Sequence, residues 1–472
     1  MTVQSFTYLL FVLLVWVLAL PVRARKARQV LLLLASYVFY ASWGHGFWIV
    51  LLLSSLMNYA LGEALRRKPT AGRLWVGVAL NVAVLVVFKY LPPLAGNEPG
   101  GGASSLLPQI LMPVGVSFWT FQALSYLFDL YREEEVDPTP LEFCLYMAFW
   151  PTVLAGPVCR LPNMLPQFRS ITGPAWDDVA EGVRRVLIGL FLKLVLAQIL
   201  QSGFNPGEGV ADGFDQVAGG WGFLDAWLLA VGFGFQLFFD FAGYSHIVIG
   251  TARLFGLRLE ENFDRPYLST TPSEFWTRWH MSLSFWIRDY VFMPLATVRR
   301  EMWWRLSALV LAMTLFGFWH GAAVTFVVWG AYHGLLLVGH RKAQQWQRRF
   351  GLELPPKLGA IVSWVLTFAL ISLGWIFFRA HDIGQAAEMV SAALNPLSYR
   401  RMALRPNYYI ITSLVVAGYF IYCGLEYLVS RFSERERQAQ LIWLLSPVRY
   451  AAALLLVIIW SKQEAVFIYL QF

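Results

Sequence analysis

The chain has 472 residues, of which 58% are hydrophobic and only 14% are charged. A soluble protein of this length could not cover its surface with so little charge, so the composition excludes a soluble globular class and indicates a polytopic membrane protein. Lysine and arginine outnumber the acids by 37 to 29, an excess typical of basic cytoplasmic loops in a membrane protein, and nucleic-acid binding is not predicted.

The cysteines and the N-terminus exclude two further classes. Cys144, Cys159 and Cys423 stand in or beside apolar segments without CxxC spacing, so neither a disulfide framework nor a zinc site is predicted. The first apolar run lacks a basic start and a small-residue cleavage site before Arg23. We therefore expect it to be retained as a first span rather than removed as a signal peptide.

Apolar runs long enough to cross a bilayer recur along the whole chain. A spanning helix needs about 20 mostly apolar residues. Candidate runs lie at 4–22, 29–44, 46–64, 73–92, 107–130, 140–158, 183–203, 221–240, 241–256, 302–319, 321–339, 358–378, 408–429 and 444–470. Because several are short or broken by glycine and proline, the sequence predicts about 11 to 13 spans.

Charge in the loops predicts the orientation. The positive-inside rule places the basic clusters at 23–28, 66–73 and 341–349 in the cytoplasm. Loops without lysine or arginine, 94–106 and 202–220, are then expected outside together with the N-terminus. On the same count one basic loop also falls outside, against the rule; it contains Arg379, Arg400, Arg401 and Arg405.

Two segments do not read as simple spans. Residues 151–167 contain four prolines, and residues 265–294 are amphipathic and rich in tryptophan. Proline interrupts a continuous helix, and irregular backbone at membrane depth survives only inside protein or beside a wet cavity. The pattern predicts re-entrant or interfacial segments that line a cavity; the alternative is a pair of cytoplasmic loops on the headgroups.

His320 is the first candidate for chemistry. Between Leu306 and Gly339 there is no Asp, Glu, Lys or Arg, and the ionisable residues are His320, Tyr332 and His333. These 34 residues are too long for one straight span, so a turn is expected near Gly317 and Gly321. A buried neutral imidazole at that turn can accept a proton from a hydroxyl. From spacing alone, a histidine hydrogen-bonded across helices is an equal alternative.

His280 is the second candidate. It lies on an amphipathic stretch with Arg278 and Arg288 nearby, where it could orient a carbonyl or hold a phosphate, although the residues alone favour interfacial packing. His333, His340, His381 and His45 carry weaker signals. The histidines lack zinc-ligand spacing with a carboxylate, and the chain has no phosphate-binding glycine loop. Gly232, Gly234 and Gly243 are expected to permit close helix packing.

Four motifs follow one another along the chain. They are Ala155-Gly-Pro157 with Leu165-Pro-Gln167; Gln236-Leu-Phe-Phe-Asp240-Phe-Ala-Gly-Tyr-Ser245; Arg265-Pro-Tyr-Leu-Ser269 through Phe275-Trp276, Arg278-Trp-His280 and Ser282-Leu-Ser284 to Arg288-Asp289-Tyr290; and Phe318-Trp-His320-Gly-Ala322 with Trp329-Gly330 and His333-Gly334. In this order they resemble the membrane-bound O-acyltransferase family. The nearest branch comprises the bacterial alginate O-acetylation proteins and the teichoic-acid D-alanyl transfer proteins.

The resemblance implies a fold and a site. The fold is an all-α polytopic membrane protein, a ring of about 11–13 transmembrane helices with re-entrant or interfacial segments around a central tunnel. It implies one integral-membrane domain over 1–472, with a motif core at 110–340, N-terminal spans in 1–106 and C-terminal spans in 341–472. His320 and His280 are the implied catalytic residues, without a metal. The implied substrate or tunnel-lining residues are Asp240, Arg278, Ser284, Arg288, Asp289 and Trp319.

The resemblance also implies an activity. The implied protein is a multi-pass enzyme of the bacterial inner membrane without a bound cofactor. It moves an acetyl group from a cytoplasmic thioester, which is either acetyl-coenzyme A or a carrier-bound acyl group. The acceptor is an exported, alginate-like polysaccharide or an extracytoplasmic acetyltransferase partner of the SGNH type. Membrane lipid is a further implied partner, and nucleic acid is not. The alternatives are D-alanyl or other acyl transfer from a carrier protein and, in another class, polysaccharide export.

Two residues depart from the family pattern. His246 stands where an aspartate is expected in the alginate branch, which puts the hydrogen bonding near Asp240 in question. Val324 stands where an aromatic residue is usual, and we expect that change to alter the tunnel wall. Neither departure removes an expected catalytic residue.

Overall fold

A computed structural model describes residues 1–44, 46–91, 112–204, 207–215, 220–351, 354–432 and 450–459. These residues form helices joined by short connections, and within them the one extended pairing is a bridge between Phe263 and Trp279. The predicted all-α class is confirmed. The ring of helices and its central tunnel stay predictions.

The first half of the chain supplies twelve described α-helices. They are α1 Phe6–Ala19, α2 Arg25–Ala41, α3 Phe47–Arg67, α4 Ala71–Leu85, α5 Val116–Tyr131, α6 Pro140–Ala148, α7 Trp150–Val153, α8 Leu161–Arg169, α9 Trp176–Phe191, α10 Gln198–Ser202, α11 Val210–Asp215 and α12 Phe223–Leu254. Two π-helical stretches, Val86–Tyr90 and Leu192–Ala197, extend α4 and join α9 to α10.

The second half begins with short helices and continues with long ones. They are α13 Pro272–Arg278, α14 Met281–Ile287, α15 Met293–Thr297, α16 Met302–His320, α17 Val324–Phe350, α18 Pro356–Arg379, α19 Ile383–Leu394, α20 Pro406–Phe432 and α21 Tyr450–Ile459. Two 3-10 turns, Pro266–Leu268 and Pro396–Ser398, and one π-helical stretch, Arg288–Phe292, complete the set.

Six helices of the described residues are long and apolar enough to cross a membrane. They are Phe47–Arg67, Ala71–Tyr90, Phe223–Leu254, Met302–His320, Pro356–Arg379 and Pro406–Val429; α1 and α21 are shorter apolar helices. A polytopic membrane protein is confirmed. Other apolar runs form shorter helices or helices with more charge, so the count of about 11 to 13 spans stays a prediction.

One prediction about the spans is wrong. The runs 221–240 and 241–256 form a single helix, α12, of 32 residues. Its glycines do not break it, because neighbouring groups pack against them: a Cβ on Gly243 would lie 2.8 Å from the Gly189 carbonyl oxygen, and one on Gly234 would lie 2.5 Å from Trp375. The predicted role of these glycines in close packing is confirmed.

The helices α16 and α17 form a hairpin. α16 ends at His320, and α17 begins after three connecting residues, Gly321 to Ala323. The two helices approach closely at two glycines, since a Cβ on Gly317 would lie 2.2 Å from the Phe326 oxygen and one on Gly330 would lie 2.3 Å from the Met313 oxygen. The predicted turn near Gly321 is confirmed; Gly317 is a contact point inside α16.

The two irregular segments are embedded in protein. Residues 154–160 connect α7 to α8, and Leu154, Ala155 and Val158 are buried. In the second segment the chain breaks into short helices, and Trp279, Leu283 and Trp286 are buried. This burial favours the re-entrant interpretation over loops lying on headgroups.

The chain divides into two compact units. The first comprises Met1–Val186 and Tyr244–Asn262, and the second comprises Leu187–Gly243 and Phe263–Phe472. His280 and His320 both belong to the second unit. The single domain over 1–472 stays a prediction.

Contacts inside the second unit explain the basic loop that contradicted the orientation rule. Arg379 donates to Asp215 at 2.9 Å, and the His381 ring lies 2.7 Å from the same carboxylate. Asn407 donates to Glu208 at 2.7 Å. The acidic segment and the arginine loop therefore lie on one side, where carboxylates offset the arginine charge. The predicted loop at 94–106 lies within 92–111, outside the described residues.

Candidate active site

His320 is the last residue of α16 and is 2% exposed. Aromatic rings surround its imidazole: Trp319 at 4.7 Å between ring centroids, Phe316 and Phe378 at 5.0 Å, and Trp329 at 5.3 Å. Immediately beyond it, Ala322 to Val324 are exposed. An imidazole held by rings and placed one residue from an exposed turn can meet an acceptor hydroxyl that arrives at that turn.

Trp329 and Trp375 extend the ring contacts away from His320. Trp329 stacks on Trp375 at 6.1 Å, and Trp375 contacts Trp279 at 4.9 Å. Trp279 immediately precedes His280 in the chain. One aromatic cluster of the second unit therefore connects the surroundings of both candidate histidines.

His280 lies at a break in the backbone. It is fully buried and adopts φ 43°, ψ 53°, the left-handed region that side chains other than glycine and asparagine rarely occupy. Its carbonyl accepts from the Ser284 amide at 2.9 Å, which starts α14. Its ring meets the edge of Phe241 at 4.6 Å. This conformation turns the chain between α13 and α14 and directs the imidazole into the aromatic core.

A pocket of about 280 Å³ lies between the hairpin and the short helices. Its polar lining comes from Ser273, Thr277, Ser284, Arg288 and Arg341, and its apolar lining from Trp276, Phe285, Ile287, Phe292, Met293, Leu309, Ala312, Met313, Phe316 and Leu337. Phe316 also contacts His320. The pocket thus has two arginines in its lining and one wall that reaches the candidate base.

The expected site residues divide into two groups. Ser284 and Arg288 line the pocket, and Trp319 packs on His320. Arg278 pairs with Glu274 at 2.8 Å one turn earlier in α13, and Asp289 pairs with Arg288 at 2.6 Å. Neither Arg278 nor Asp289 is a lining residue of this pocket.

Asp240 has a partner that sequence reasoning missed. It forms a buried ion pair with Lys193, whose side chain is fully buried in the π-helical stretch before α10. Asp240 directly precedes Phe241, which packs on His280. The sequence signal for this ion pair was a single lysine in the apolar stretch 186–197, because a charge among membrane helices needs an opposite charge or a polar partner.

The structure describes Asp240 and Val324, the two positions that the departures from the family pattern concern. Asp240 takes Lys193 as its partner, so that carboxylate is paired. Val324 is 63% exposed at the start of α17, next to the turn that follows His320. The expectation that Val324 alters the tunnel wall stays a prediction.

The described residues contain no group of three or more His, Cys, Asp or Glu side chains arranged to hold a metal ion. His333, which carried a weak sequence signal, is fully buried on α17, with its ring 5.2 Å from Trp276 and 5.0 Å from Trp329. It lies between the pocket wall and the rings around His320.

Known proteins share extended sequence similarity with this chain. A sequence model of the membrane-bound O-acyltransferase family matches residues 48–380. The probable alginate O-acetylase of Pseudomonas putida is 35% identical over 391 residues, which cover 78% of this chain and 75% of that protein. The peptidoglycan O-acetyltransferase of Helicobacter pylori is 30% identical, with 93% and 91% covered.

A third relative is named for a different acyl group. The teichoic acid D-alanyltransferase of Bacillus subtilis is 27% identical over 342 residues, which cover 70% of this chain and 82% of that protein. The names of the three relatives concern acetyl or D-alanyl groups and the polymers alginate, peptidoglycan and teichoic acid. The family match covers well over half of the chain, and the chain therefore belongs to the membrane-bound O-acyltransferase family.

Proposed function

We propose that this membrane O-acyltransferase moves an acetyl group from a cytoplasmic thioester to a hydroxyl presented at the outer face. The observation that carries the proposal is the position of His320 at the end of the hairpin opposite its basic end. α16 rises about 27 Å from Met302 to His320, close to the thickness of a bilayer's hydrocarbon core. Phe378, which packs on His320, directly precedes Arg379 of the outer loop.

The pocket supports entry of the donor from the basic end. Arg288 and Arg341 can bind the phosphates of a thioester donor, while Leu309, Met313 and Phe316 offer an apolar wall toward His320. The charged part of the donor would stay at the arginines, since charge is costly in hydrocarbon, and only the thioester end would approach His320.

The chemistry needs one base and good alignment. His320 takes the proton of the acceptor hydroxyl, whose oxygen attacks the thioester carbonyl carbon. The new C–O bond forms, the C–S bond breaks, and the leaving thiolate receives the proton from the imidazolium. Holding both reactants at one buried place lowers the barrier by orientation.

We assign the remaining residues supporting roles. His280 positions the acceptor or the thioester from the neighbouring aromatic core, and Ser284 and Arg288 line the donor pocket. Trp319 holds the His320 ring. Asp240 keeps the backbone beside Phe241 in place through Lys193.

The acceptor is assigned by analogy with the relatives. These relatives include a probable alginate O-acetylase and a peptidoglycan O-acetyltransferase, so we propose an exported or envelope polysaccharide, reached directly or through an extracytoplasmic SGNH-type acetyltransferase. We place the enzyme in the bacterial inner membrane. Because one relative is a D-alanyltransferase, a carrier-bound donor is the second candidate. Membership in an acyltransferase family argues against a polysaccharide exporter.

The test uses purified protein in liposomes with radiolabelled acetyl-coenzyme A and an extracted polysaccharide, comparing wild type with His320→Ala. We expect alkali-labile label with wild type and a rate about 10² to 10⁴ lower with the variant, the usual contribution of a general base. Equal thermal stability of the two proteins in detergent serves as the folding control.

Two results would contradict parts of the proposal. Equal label from both proteins would remove His320 as the base. Label from an acetylated carrier protein but none from acetyl-coenzyme A would replace the donor while leaving the transfer reaction intact.

A further inference from the structure

Four residues of α17 form a row that leads from the basic end of the hairpin to His320. They are Trp329, His333, Leu337 and Arg341, spaced four residues apart, so each lies next to the following one on an inclined ridge of the helix. Leu337 and Arg341 line the pocket, and Trp329 contacts His320. The row therefore continues the pocket toward the candidate base.

The facing helix α16 carries a matching row. Leu309, Met313 and Phe316 line the same pocket, and Phe316 contacts His320 one turn later. From Arg341 to Trp329 the row on α17 covers 12 residues, or about 18 Å. An extended pantetheine arm, the flexible chain shared by coenzyme A and acyl carrier proteins, matches that length.

His333 is the second polar residue of the α17 row after Arg341, and it lies between the pocket and the base. Its ring packs edge-on against Trp276, a lining residue of the pocket, and against Trp329. On the other side α18 approaches at Gly374, where a Cβ would lie 2.7 Å from Nε2 of His333. Glycine at this position lets the α18 backbone lie directly against the ring nitrogen.

The ring nitrogens of His333 belong to a local group of buried polar atoms. Across the described parts of the chain, neither Nδ1 nor Nε2 has a hydrogen-bond partner, and the same holds for Nε1 of Trp276 and Nε1 of Trp329. Buried polar groups are nearly always paired, so a cluster of unpaired ones needs an explanation. Its place between a pocket and a catalytic base points to partners supplied by the substrate.

We propose that His333 binds an amide group of the donor's pantetheine arm and so positions the thioester at His320. A neutral imidazole has one donor and one acceptor, which match the carbonyl and N–H of an amide, and the two indoles offer further donors. The inference rests on the proposed function. It makes His333 a positioning residue, not a second base.

The experiment compares His333→Phe and His333→Gln with wild type on three thioesters. Acetyl-coenzyme A and S-acetylpantetheine carry the amides, and S-butyl thioacetate lacks them. We expect His333→Phe to raise KM for the two amide donors about three- to tenfold, the value of one lost hydrogen bond, with kcat within about twofold. For S-butyl thioacetate kcat/KM stays unchanged, and His333→Gln retains part of the wild-type affinity.

Stability separates this role from a packing role. His333→Gln is no larger than histidine and should keep the wild-type melting temperature, because the ring nitrogens have no protein partner to lose in the described structure. His333→Phe places a larger ring against the α18 backbone at Gly374 and is expected to lower the melting temperature through overpacking. The matched control is Tyr332→Phe, which removes a hydrogen bond to the Leu370 carbonyl at 2.7 Å and keeps the ring that packs on His333. We expect Tyr332→Phe to keep the wild-type KM.

Several outcomes would overturn the proposal. Unchanged KM for His333→Phe on every donor would mean that water, not substrate, pairs with the ring. Equal losses on amide and amide-free thioesters, or a lower melting temperature of His333→Gln, would indicate a packing role for His333. An acetylated carrier protein tested beside acetyl-coenzyme A distinguishes the two sources of the arm, and the KM increase should appear with whichever donor the enzyme uses.

A failure of the proposed function would remain distinguishable. If wild type transfers no acetyl group from any donor, binding is measured through the melting temperature with added pantetheine and coenzyme A. Stabilisation of wild type but not of His333→Phe would support the site without the reaction, whereas no stabilisation of either protein would overturn it.

Discussion

The two candidate histidines lie in regions that fix their side chains in different ways. His320 ends a regular helix in the hairpin of α16 and α17, where glycine contacts bring two long helices together. His280 lies in the broken segment of α13 and α14, where the backbone enters the left-handed region to turn the ring into an aromatic core. The hairpin places its histidine by helix packing, whereas the broken segment does so by backbone strain.

The difference concerns how each position tolerates change. A helix end needs no special backbone for its side chain, so the His320 ring can be removed while the hairpin remains. At His280 the side chain and the strained conformation come together, because a non-glycine residue in that region costs about 1–2 kcal/mol. Loss of function at His280 therefore has two possible causes, and substitutions must separate them.

The largest effect on stability is expected from breaking the buried ion pair between Lys193 and Asp240. Lys193→Met leaves the Asp240 carboxylate buried without its lysine, which should cost about 3–5 kcal/mol of stability and abolish activity. The double variant Lys193→Met, Asp240→Leu should recover most of that stability, measured as thermal inactivation in detergent. If the double variant is as unstable as the single one, the pair does more than neutralise charge.

The next effect tests the hairpin. Gly330→Ala places a methyl group 2.3 Å from the Met313 carbonyl oxygen and should destabilise by about 1–3 kcal/mol through overpacking. Gly339→Ala, on the same helix with open space around it, is the matched control and should be neutral or stabilising by up to about 1 kcal/mol. Similar stability of both variants would show that the close approach of the helices is dispensable.

His280 gives a smaller effect on stability. Asparagine tolerates the left-handed conformation and alanine does not, so His280→Asn should keep more stability than His280→Ala, by about 1 kcal/mol. We expect both to lose roughly tenfold or more in acetyl transfer, because the positioning imidazole is gone. Arg265→Asn, at φ 45° in the same segment, is the control and should keep its activity. Full activity in His280→Asn would reduce His280 to a backbone role.

The smallest expected effect is a change in KM, which should differ between two arginines of the broken segment. Arg288 lines the pocket, whereas Arg278 pairs with Glu274 on the surface of α13. Arg288→Gln should raise KM for acetyl-coenzyme A roughly two- to fivefold, and less so at high salt, while Arg278→Gln stays close to wild type. The reverse order would place the donor's phosphates outside the pocket.

Local pattern was enough to predict the helices of the hairpin. The absence of charge from Leu306 to Gly339 indicated membrane helices, and the length of that stretch required a turn, which lies at Gly321 to Ala323. The two runs in α12 were separated wrongly, because together they are longer than the roughly 20 residues that one span needs. In the fold, neighbouring groups fill the space at Gly234 and Gly243 and the helix continues.

The candidate site was only partly predictable. His320 and His280 came from ordered motifs, but the partner of Asp240 lies 47 residues away in sequence. The pocket that contains Arg288 and Arg341 is lined by five α-helices and the π-helical stretch. Pairings of this kind depend on how helices pack, which periodicity does not specify. His333 looked weak in sequence because its importance lies in what surrounds it, not in its spacing from other polar residues.

Under the proposed function, the length of the α17 row sets a minimum length for the arm of the donor. With a donor's charged end held at Arg341, a thioester reaches Trp329 and His320 only if the connecting arm covers about 18 Å. A shorter thioester would have to give up either the arginines or the base. The hairpin would therefore select donors by the length of the arm before any group recognises the acyl chain, and shortening α17 by one helical turn would change which donors fit.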